Sequence, residues 1–303
     1  MMENRWILPP ISTNIPHGDM PGDKIYIGEE HIAKARTIYP RLQKELKKLP
    51  GKKAVVAVCG GSGVGKSEIA SVLAYYLNQE GIGAYVMSGD NYPWRIPRDN
   101  DLERLRVYRQ GGLRGLVSHD LLTSEITQTL RQLWEEEKDA DPTAAAEHGW
   151  LSVYQRAGRR ALTGYLGTPN ETNFDEVTDI LARFHQEDQA IYLKRMGREG
   201  VELWYEKVDF SAVQVLILEW THGNSDFFEG VDIPVLLNST PAETLAHRRA
   251  RNRDGKTDSA FTTMVLEIEQ KKLESQAHKA KLILSKQGEL LSYDDYRRLM
   301  ANE

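Results

Sequence analysis

Five short apolar runs recur along the chain and predict the strands of a single sheet. Their aliphatic residues are consecutive rather than alternating with polar ones, which is typical of strands buried on both faces of a parallel sheet. The runs are 52–59 (KKAVVAVC), 83–88 (GAYVMS), 213–219 (VQVLILE), 233–238 (IPVLLN) and 280–285 (AKLILS). Because helical periodicity fills most of the intervals, we expect an α/β fold with three layers around a parallel sheet of about five strands.

Helices are predicted on both sides of the first strand. Apolar positions at helical spacing over 29–49 indicate a helix within an N-terminal region, residues 1–50, and Pro40 should kink or divide that helix. A second helix follows the first strand and should end at Gly81. Residues 51–303 are then expected to form one domain.

A long interval separates the second predicted strand from the third. It exceeds what a single crossover connection needs, so we expect residues 107–211 to form an inserted accessory region. Apolar periodicity predicts helices in this region over 121–141, 143–162 and 173–188.

Charge and composition exclude several classes of function. Lys and Arg total 39 against 44 Asp and Glu, a net charge of -5, so no excess of positive charge is available for a nucleic-acid backbone. The single cysteine, Cys59, excludes an internal disulfide framework. No apolar stretch of about 18 residues predicts a membrane span or a secretory leader. We expect a cytoplasmic enzyme that binds neither nucleic acid nor membrane, and the sequence is compatible with a homodimer.

The loop after the first strand carries the most specific chemical signal. Residues 60–67 (GGSGVGKS) match the phosphate-loop pattern G-x-x-x-x-G-K-[ST] at every fixed position, between a predicted strand and a predicted helix. Backbone N–H groups in such a loop surround a phosphate at the positive end of the helix. The pattern predicts binding of ATP and Mg²⁺, with Lys66 on the phosphates and Ser67 on the metal. The candidate nucleotide-binding residues are Gly61, Ser62, Gly63, Val64, Gly65, Lys66, Ser67 and Glu68.

Two carboxylates follow predicted strands at the same edge of the sheet. Asp90 comes after the second strand, where it could act as a general base or help to place the metal, although a turn aspartate is an alternative. Glu219 ends the third strand after four apolar residues, the Walker B pattern that places a carboxylate near Mg²⁺. The predicted metal site therefore consists of Ser67, Asp90 and Glu219.

Several basic residues are candidates for binding phosphates or a second substrate. The segment 241–256 predicts an arginine-rich lid, from which Arg249 would bind the nucleotide and Arg251 and Arg253 would spread transition-state charge. Candidate contacts to the second substrate are Arg95, Arg195, Arg198 and His222. Solvent-facing charges are the alternative interpretation of the arginines.

The phosphate loop is compatible with several classes of protein. A GTPase is disfavoured, because SKQG (285–288) stands where N-K-x-D would be expected, and the L-S-G-G-Q signature of transporter ATPases is absent. A kinase is favoured, and a nucleotide-sensing regulator without catalysis is an alternative.

Over about residues 53–290 the chain resembles small-molecule kinases of the uridine kinase, phosphoribulokinase and pantothenate kinase group. The resemblance rests on the phosphate loop, the strand end at Asp90, the strand LILEW and the arginine-rich segment HRRARNRDGK. It implies transfer of the ATP γ-phosphoryl group to a hydroxyl of a sugar, polyol or nucleoside. Residues 107–164 depart from the group as an insertion that its members generally lack, and we expect the 107–211 region to bind the acceptor.

The resemblance also implies two further acceptor residues. Tyr92 accompanies Asp90, and Pro169 lies in a diverged copy of D-x-P-x-x-F-D in which Gly167 replaces the first aspartate. A second departure is Trp220, which replaces the usual glycine after Glu219. The GDN element at 89–91 also resembles adenylylsulfate kinases, which are therefore an alternative.

Overall fold

The computed structural model describes residues 9–11, 15–49, 51, 53–197, 199–200, 202–246 and 259–301. Within these residues, the strands are β1 (Ala54–Gly60), β2 (Ala84–Ser88), β3 (Ala190–Met196), β4 (Leu203–Asp209), β5 (Val215–Glu219), β6 (Ile233–Leu237), β7 (Leu282–Leu284) and β8 (Leu290–Leu291). The helices are α1 (Glu29–Leu46), α2 (Lys66–Gln79), α3 (Pro97–Ser118), α4 (Ser124–Glu135), α5 (Ala144–Glu147), α6 (Leu151–Thr163), α7 (Phe174–His185), α8 (Ala260–Gln276) and α9 (Tyr293–Ala301).

The main sheet has the strand order β2-β5-β1-β6-β7-β8. The first five of these strands are parallel, and they are the five predicted from apolar runs, whereas β8 pairs antiparallel with β7. β1 has β5 on one side and β6 on the other, so the strand order reverses beside β1. In an open α/β sheet such a reversal leaves a crevice at the carboxyl ends of the strands, where ligands bind.

Alternate residues of β1 pack into different layers. Val56 and Val58 contribute to one core with α1 and α2, whereas Val55 contributes to a second core with α7 and β3. Cys59 faces a third cluster with Leu273 and Tyr296. The two faces of the sheet are both covered, which confirms the predicted α/β fold with three layers.

Helix α1 runs without a break through Pro40. The expectation that Pro40 would divide the helix in two is therefore wrong. Pro40 removes the hydrogen bond to the carbonyl group of Arg36, and both residues are exposed, so water can replace that bond. The opposite side of α1 is anchored by buried Ile38, Tyr39 and Leu42.

The contacts divide the chain into two compact units. The first contains 1–92, 174–244 and 273–303, and the second contains 93–173 and 245–272. These boundaries differ from the expected insertion at 107–211, because α7 and the two-stranded β3–β4 hairpin belong to the first unit. In the second unit, α3 packs closely on α6 through glycines: a Cβ at Gly112 would lie 2.4 Å from the Tyr154 ring.

Candidate active site

The phosphate loop connects β1 to α2 in the position that its sequence predicts. Gly63 and Gly65 have φ angles of 77° and 92°, in the left-handed region that side chains with a Cβ rarely adopt. Helix α2 begins at Lys66, whose Nζ donates to the carbonyl oxygen of Gly61 at 3.1 Å. The backbone at the start of α2 therefore forms a cradle with one cation beside it, which fits a phosphate group.

The other candidate nucleotide-binding residues have different environments. Ser62 is exposed on the loop, whereas Val64 is buried in the core that α1 and α2 share, and Glu68 is buried in the first turn of α2. Val64 thus anchors the loop to the core. Four predicted arginines, Arg198, Arg249, Arg251 and Arg253, lie outside the described residues.

His31 of α1 supports the loop from behind, a contact that the sequence did not predict. Its ring lies against Gly65, where an added Cβ would come within 2.7 Å of the imidazole Cδ2. The Nδ1 atom of His31 accepts a hydrogen bond from the backbone N–H of Gly28 at 3.1 Å, which fixes the orientation of the ring. The N-terminal helix is therefore part of the structure around the phosphate loop.

Glu219 joins the phosphate loop to the ends of β2 and β5. Its Oε2 accepts a hydrogen bond from Ser67 Oγ at 3.0 Å, and its Oε1 accepts one from Ser88 Oγ at 2.5 Å. The residue is only 3% exposed. Burial and the nearby charge of Asp90 raise the pKa of Glu219 to about 8, although Ser88, Lys66 and Ser67 oppose this rise. The structure thus brings together all three residues of the predicted metal site.

Asp90 is the exposed residue of the 3₁₀ turn Gly89–Asn91, which directly follows β2 and whose other two residues are buried. β2 and β5 are neighbours, and Ser88 is in register with Glu219, so the next residues of the two strands, Gly89 and Trp220, also meet. A Cβ at Gly89 would lie 2.0 Å from the Cγ of the buried Trp220 ring. The indole at position 220 is therefore compatible with the turn because residue 89 has no side chain.

The turn after β2 is also held by Asp19, which the sequence did not predict as a site residue. Asp19 Oδ1 accepts from Ser88 N at 2.8 Å and from Asn91 Nδ2 at 3.0 Å. Its Oδ2 accepts from Tyr85 Oη at 2.9 Å and from Arg195 Nη1 at 2.9 Å. Burial raises the pKa of Asp19, and the Arg195 charge and the hydrogen bonds oppose this.

Arg195 is occupied by protein groups instead of facing a ligand. Its guanidinium donates to Asp19, to Glu206 Oε2 at 2.9 Å and to Tyr85 Oη at 3.0 Å, and the residue is 4% exposed. This arrangement disagrees with the expectation that Arg195 contacts the acceptor. Neither the spacing nor the composition of the segment around Asp19 indicates the ion pair, because its partners lie far apart in the chain.

The remaining acceptor candidates are divided between the two units. In the first unit, Tyr92 is fully buried, its hydroxyl has no hydrogen-bond partner among the described residues, and burial raises its pKa. His222 packs edge-on against Trp220, with ring centroids 5.4 Å apart. In the second unit, Arg95 donates to Tyr165 Oη at 3.1 Å, and the carbonyl oxygen of Pro169 accepts from Trp94 Nε1 at 2.8 Å.

The donor set around Ser67 fits Mg²⁺. Hydroxyl and carboxylate oxygens are the hard ligands that this ion prefers, and it usually combines one or two protein ligands with phosphate and water. The described residues contain no cluster of three or more His, Cys, Asp or Glu side chains arranged as a metal cage. Among the residues that the structure describes, no helix combines the length and the apolar composition needed to span a bilayer.

No known family model matches the chain. The bifunctional alpha-galactosidase/sucrose kinase AgaSK of Mediterraneibacter gnavus is 38% identical over 257 residues, which are 85% of this chain and 23% of that protein. The chain thus spans less than a quarter of the length of this relative.

Two solved structures are similar at low identity. One is D-glycerate 3-kinase from Cryptococcus neoformans var. grubii, with 11% identity, a TM-score of 0.48 and coverage of 88% of this chain and 98% of that one. The other is a possible uridine kinase from Bacillus stearothermophilus, with 13% identity, a TM-score of 0.40 and coverage of 80% and 98%. By its own topology the chain has an α/β fold with a phosphate loop at the switch point of its sheet, and in sequence it is similar to a bifunctional alpha-galactosidase/sucrose kinase.

Proposed function

We propose that the chain is an ATP-dependent kinase that transfers the γ-phosphoryl group to a hydroxyl of a small carbohydrate. The observation that carries this proposal is the convergence of Ser67, Glu219 and Asp90 beside the phosphate loop. A purely regulatory nucleotide site would need the loop but no exposed carboxylate beside it. The similarity to a protein whose name includes sucrose kinase favours a sugar over the other acceptors that the sequence allows.

The two carboxylates suit different tasks. Glu219 is buried and held by Ser67 and Ser88, so it is suited to orienting the hydroxyl of Ser67 and the water around a metal ion. Asp90 is exposed on its turn and can reach a bound substrate, so we assign it the role of general base. Bound Mg²⁺ would neutralise phosphate charge at Ser67 and Glu219.

In the proposed reaction the acceptor hydroxyl oxygen forms a bond to the γ-phosphorus, and the bond from that phosphorus to the bridging oxygen of ADP breaks. The proton of the hydroxyl passes to Asp90, and the products are ADP and a sugar phosphate. Lys66 offsets the negative charge of the phosphates during the transfer. The catalytic contribution of the protein is then mainly alignment and electrostatic stabilisation.

The proposal is tested by acceptor-dependent ADP formation with MgATP. Sucrose, glucose, fructose, glycerate, uridine and adenylyl sulfate are compared, and mass spectrometry tests for the phosphorylated product. We expect turnover with one of the sugars and none in the Lys66→Ala variant. Turnover with adenylyl sulfate alone would replace the carbohydrate assignment, and nucleotide binding without turnover on any acceptor would favour a regulator.

A further inference from the structure

A buried hydrogen-bond network connects the N-terminal segment to the turn that carries Asp90. Asp19 is its centre, and its side chain is 8% exposed. One carboxylate oxygen of Asp19 accepts hydrogen bonds from Ser88, the last residue of β2, and from Asn91, the last residue of the turn. Ser88 and Asn91 flank Gly89 and Asp90 in the sequence. The turn is thus held at both ends by a single oxygen atom from a distant part of the chain.

The network extends from the turn to both sides. Asn91 Oδ1 accepts from the backbone N–H of Met196 at 3.0 Å, which ties the turn to the end of β3. Ser88, whose N–H is bound by Asp19, donates its hydroxyl to Glu219. The chain beside Asp19 also approaches Glu219 directly, because a Cβ at Gly18 would lie 3.3 Å from Glu219 Oε1. Asp19 therefore holds residues that flank Asp90, and through Ser88 it is linked to Glu219.

Arg195 orients the Asp19 carboxylate, and its charge opposes the rise in pKa that burial causes. The guanidinium binds the oxygen of Asp19 that does not contact the turn, and it shares Tyr85 Oη with that oxygen. Glu206 is the other carboxylate on Arg195, but its side chain is 60% exposed, and within the described residues its hydrogen bond goes to Arg195 and not to residues 88–91. The two acidic partners of Arg195 thus differ in burial, and of the two it is Asp19 whose hydrogen bonds reach the turn.

We propose that Asp19 is a positioning residue that sets the geometry of Asp90 and Glu219 through the 88–91 turn. This inference rests on the proposed kinase function. Losing Asp19 should lower kcat, because a misplacement of about 1 Å in a reacting group costs about 100-fold in rate. Binding of MgATP should change little, because within the described residues the hydrogen bonds of Asp19 go to the 88–91 turn, Tyr85 and Arg195 and not to the phosphate loop.

The test compares Asp19→Ala, Asp19→Asn and the matched control Glu206→Gln, each with its unfolding midpoint measured so that assays use folded protein. We expect Asp19→Ala to lower kcat by about 10- to 100-fold, with KM for ATP within about threefold of wild type. Asp19→Asn retains an acceptor oxygen for Ser88 and Asn91, so its loss should be smaller. Glu206→Gln should keep the kcat of wild type.

Hydrogen exchange of the peptide 84–92 provides a readout that does not depend on turnover. Asp19→Ala should speed exchange of the Ser88 amide at least tenfold, and Glu206→Gln should not. Suppose that wild type phosphorylates its acceptor. If Asp19→Ala then has the kcat of wild type, or if Glu206→Gln lowers kcat as much as Asp19→Ala does, the positioning role is wrong and the kinase function stands. If wild type has no turnover, the kinase function is wrong, and unchanged exchange at Ser88 would overturn the positioning role as well.

Discussion

Replacing Glu219 by glutamine should make the ligand-free protein more stable at alkaline pH. The usual pKa of this carboxyl group is 4.5, and burial together with Asp90 raises it to about 8 in the fold. A raised pKa means that the folded state holds its proton more tightly than the unfolded chain does. The stabilisation is therefore complete below pH 4.5, and it is lost as the pH rises towards 8.

The pKa difference sets the size of the effect. One pH unit corresponds to about 1.4 kcal/mol, so the range from 4.5 to about 8 amounts to on the order of 5 kcal/mol in free energy of unfolding. Relaxation of the site and water entry reduce this figure, so it is an upper bound. Glutamine has no charge to desolvate, and it can still bond to both Ser67 and Ser88. The free energy of unfolding of Glu219→Gln should therefore lack the pH dependence that residue 219 causes in wild type.

Urea unfolding followed by tryptophan fluorescence, at intervals from pH 5 to pH 9 with EDTA and without nucleotide, measures the difference. We expect wild type and Glu219→Gln to be similar near pH 5 and to diverge by several kcal/mol by pH 9. Glu229→Gln is the matched control, because Glu229 is exposed in the same compact unit. A gap between wild type and Glu219→Gln that does not change with pH would refute the argument that Glu219 holds a proton in the fold.

Three further predictions concern the loop, the turn and the base. Lys66→Ala should abolish turnover while the far-UV circular dichroism stays unchanged, and near-normal turnover in that variant would exclude the phosphate-loop assignment. Gly89→Ala should cost about 1–3 kcal/mol in urea unfolding because its Cβ overlaps Trp220, whereas Gly28→Ala, whose nearest contact would be 3.8 Å away, should cost much less. Asp90→Asn should lower kcat by about 10²–10⁴-fold with little change in KM for ATP, and a rate that recovers at high Mg²⁺ would show a metal role instead.

Features that depend on neighbouring residues in sequence could be predicted. Buried parallel strands carry continuous apolar runs, so all five parallel strands were found, and the phosphate loop was recognised because its chemistry requires a fixed spacing. Asp90 and Glu219 were expected to meet because parallel strands end at the same edge of a sheet. The two residues of β8 are too few to produce a pattern.

Elements whose pattern is weak were missed. β4 is mostly exposed, so it carries no apolar run, and the β3–β4 hairpin appeared to be part of the insertion. Helix α3 (Pro97–Ser118) was not predicted, because its many polar residues obscure any apolar periodicity, and some of them pair with one another, as Arg106 does with Glu103. β4 is held by its antiparallel pairing with β3, and α3 is held by its close packing on α6.

The sequence alone determined the α/β fold, the phosphate loop and the pairing of Asp90 with Glu219, because each of these follows from local periodicity or from fixed motif spacing. The tertiary structure alone decided that Asp19 and Arg195 form a buried pair beside the 88–91 turn and that His31 supports Gly65. Those contacts join residues far apart in the chain. They depend on burial in a low-dielectric environment, which exists only after the sheet and its layers have assembled.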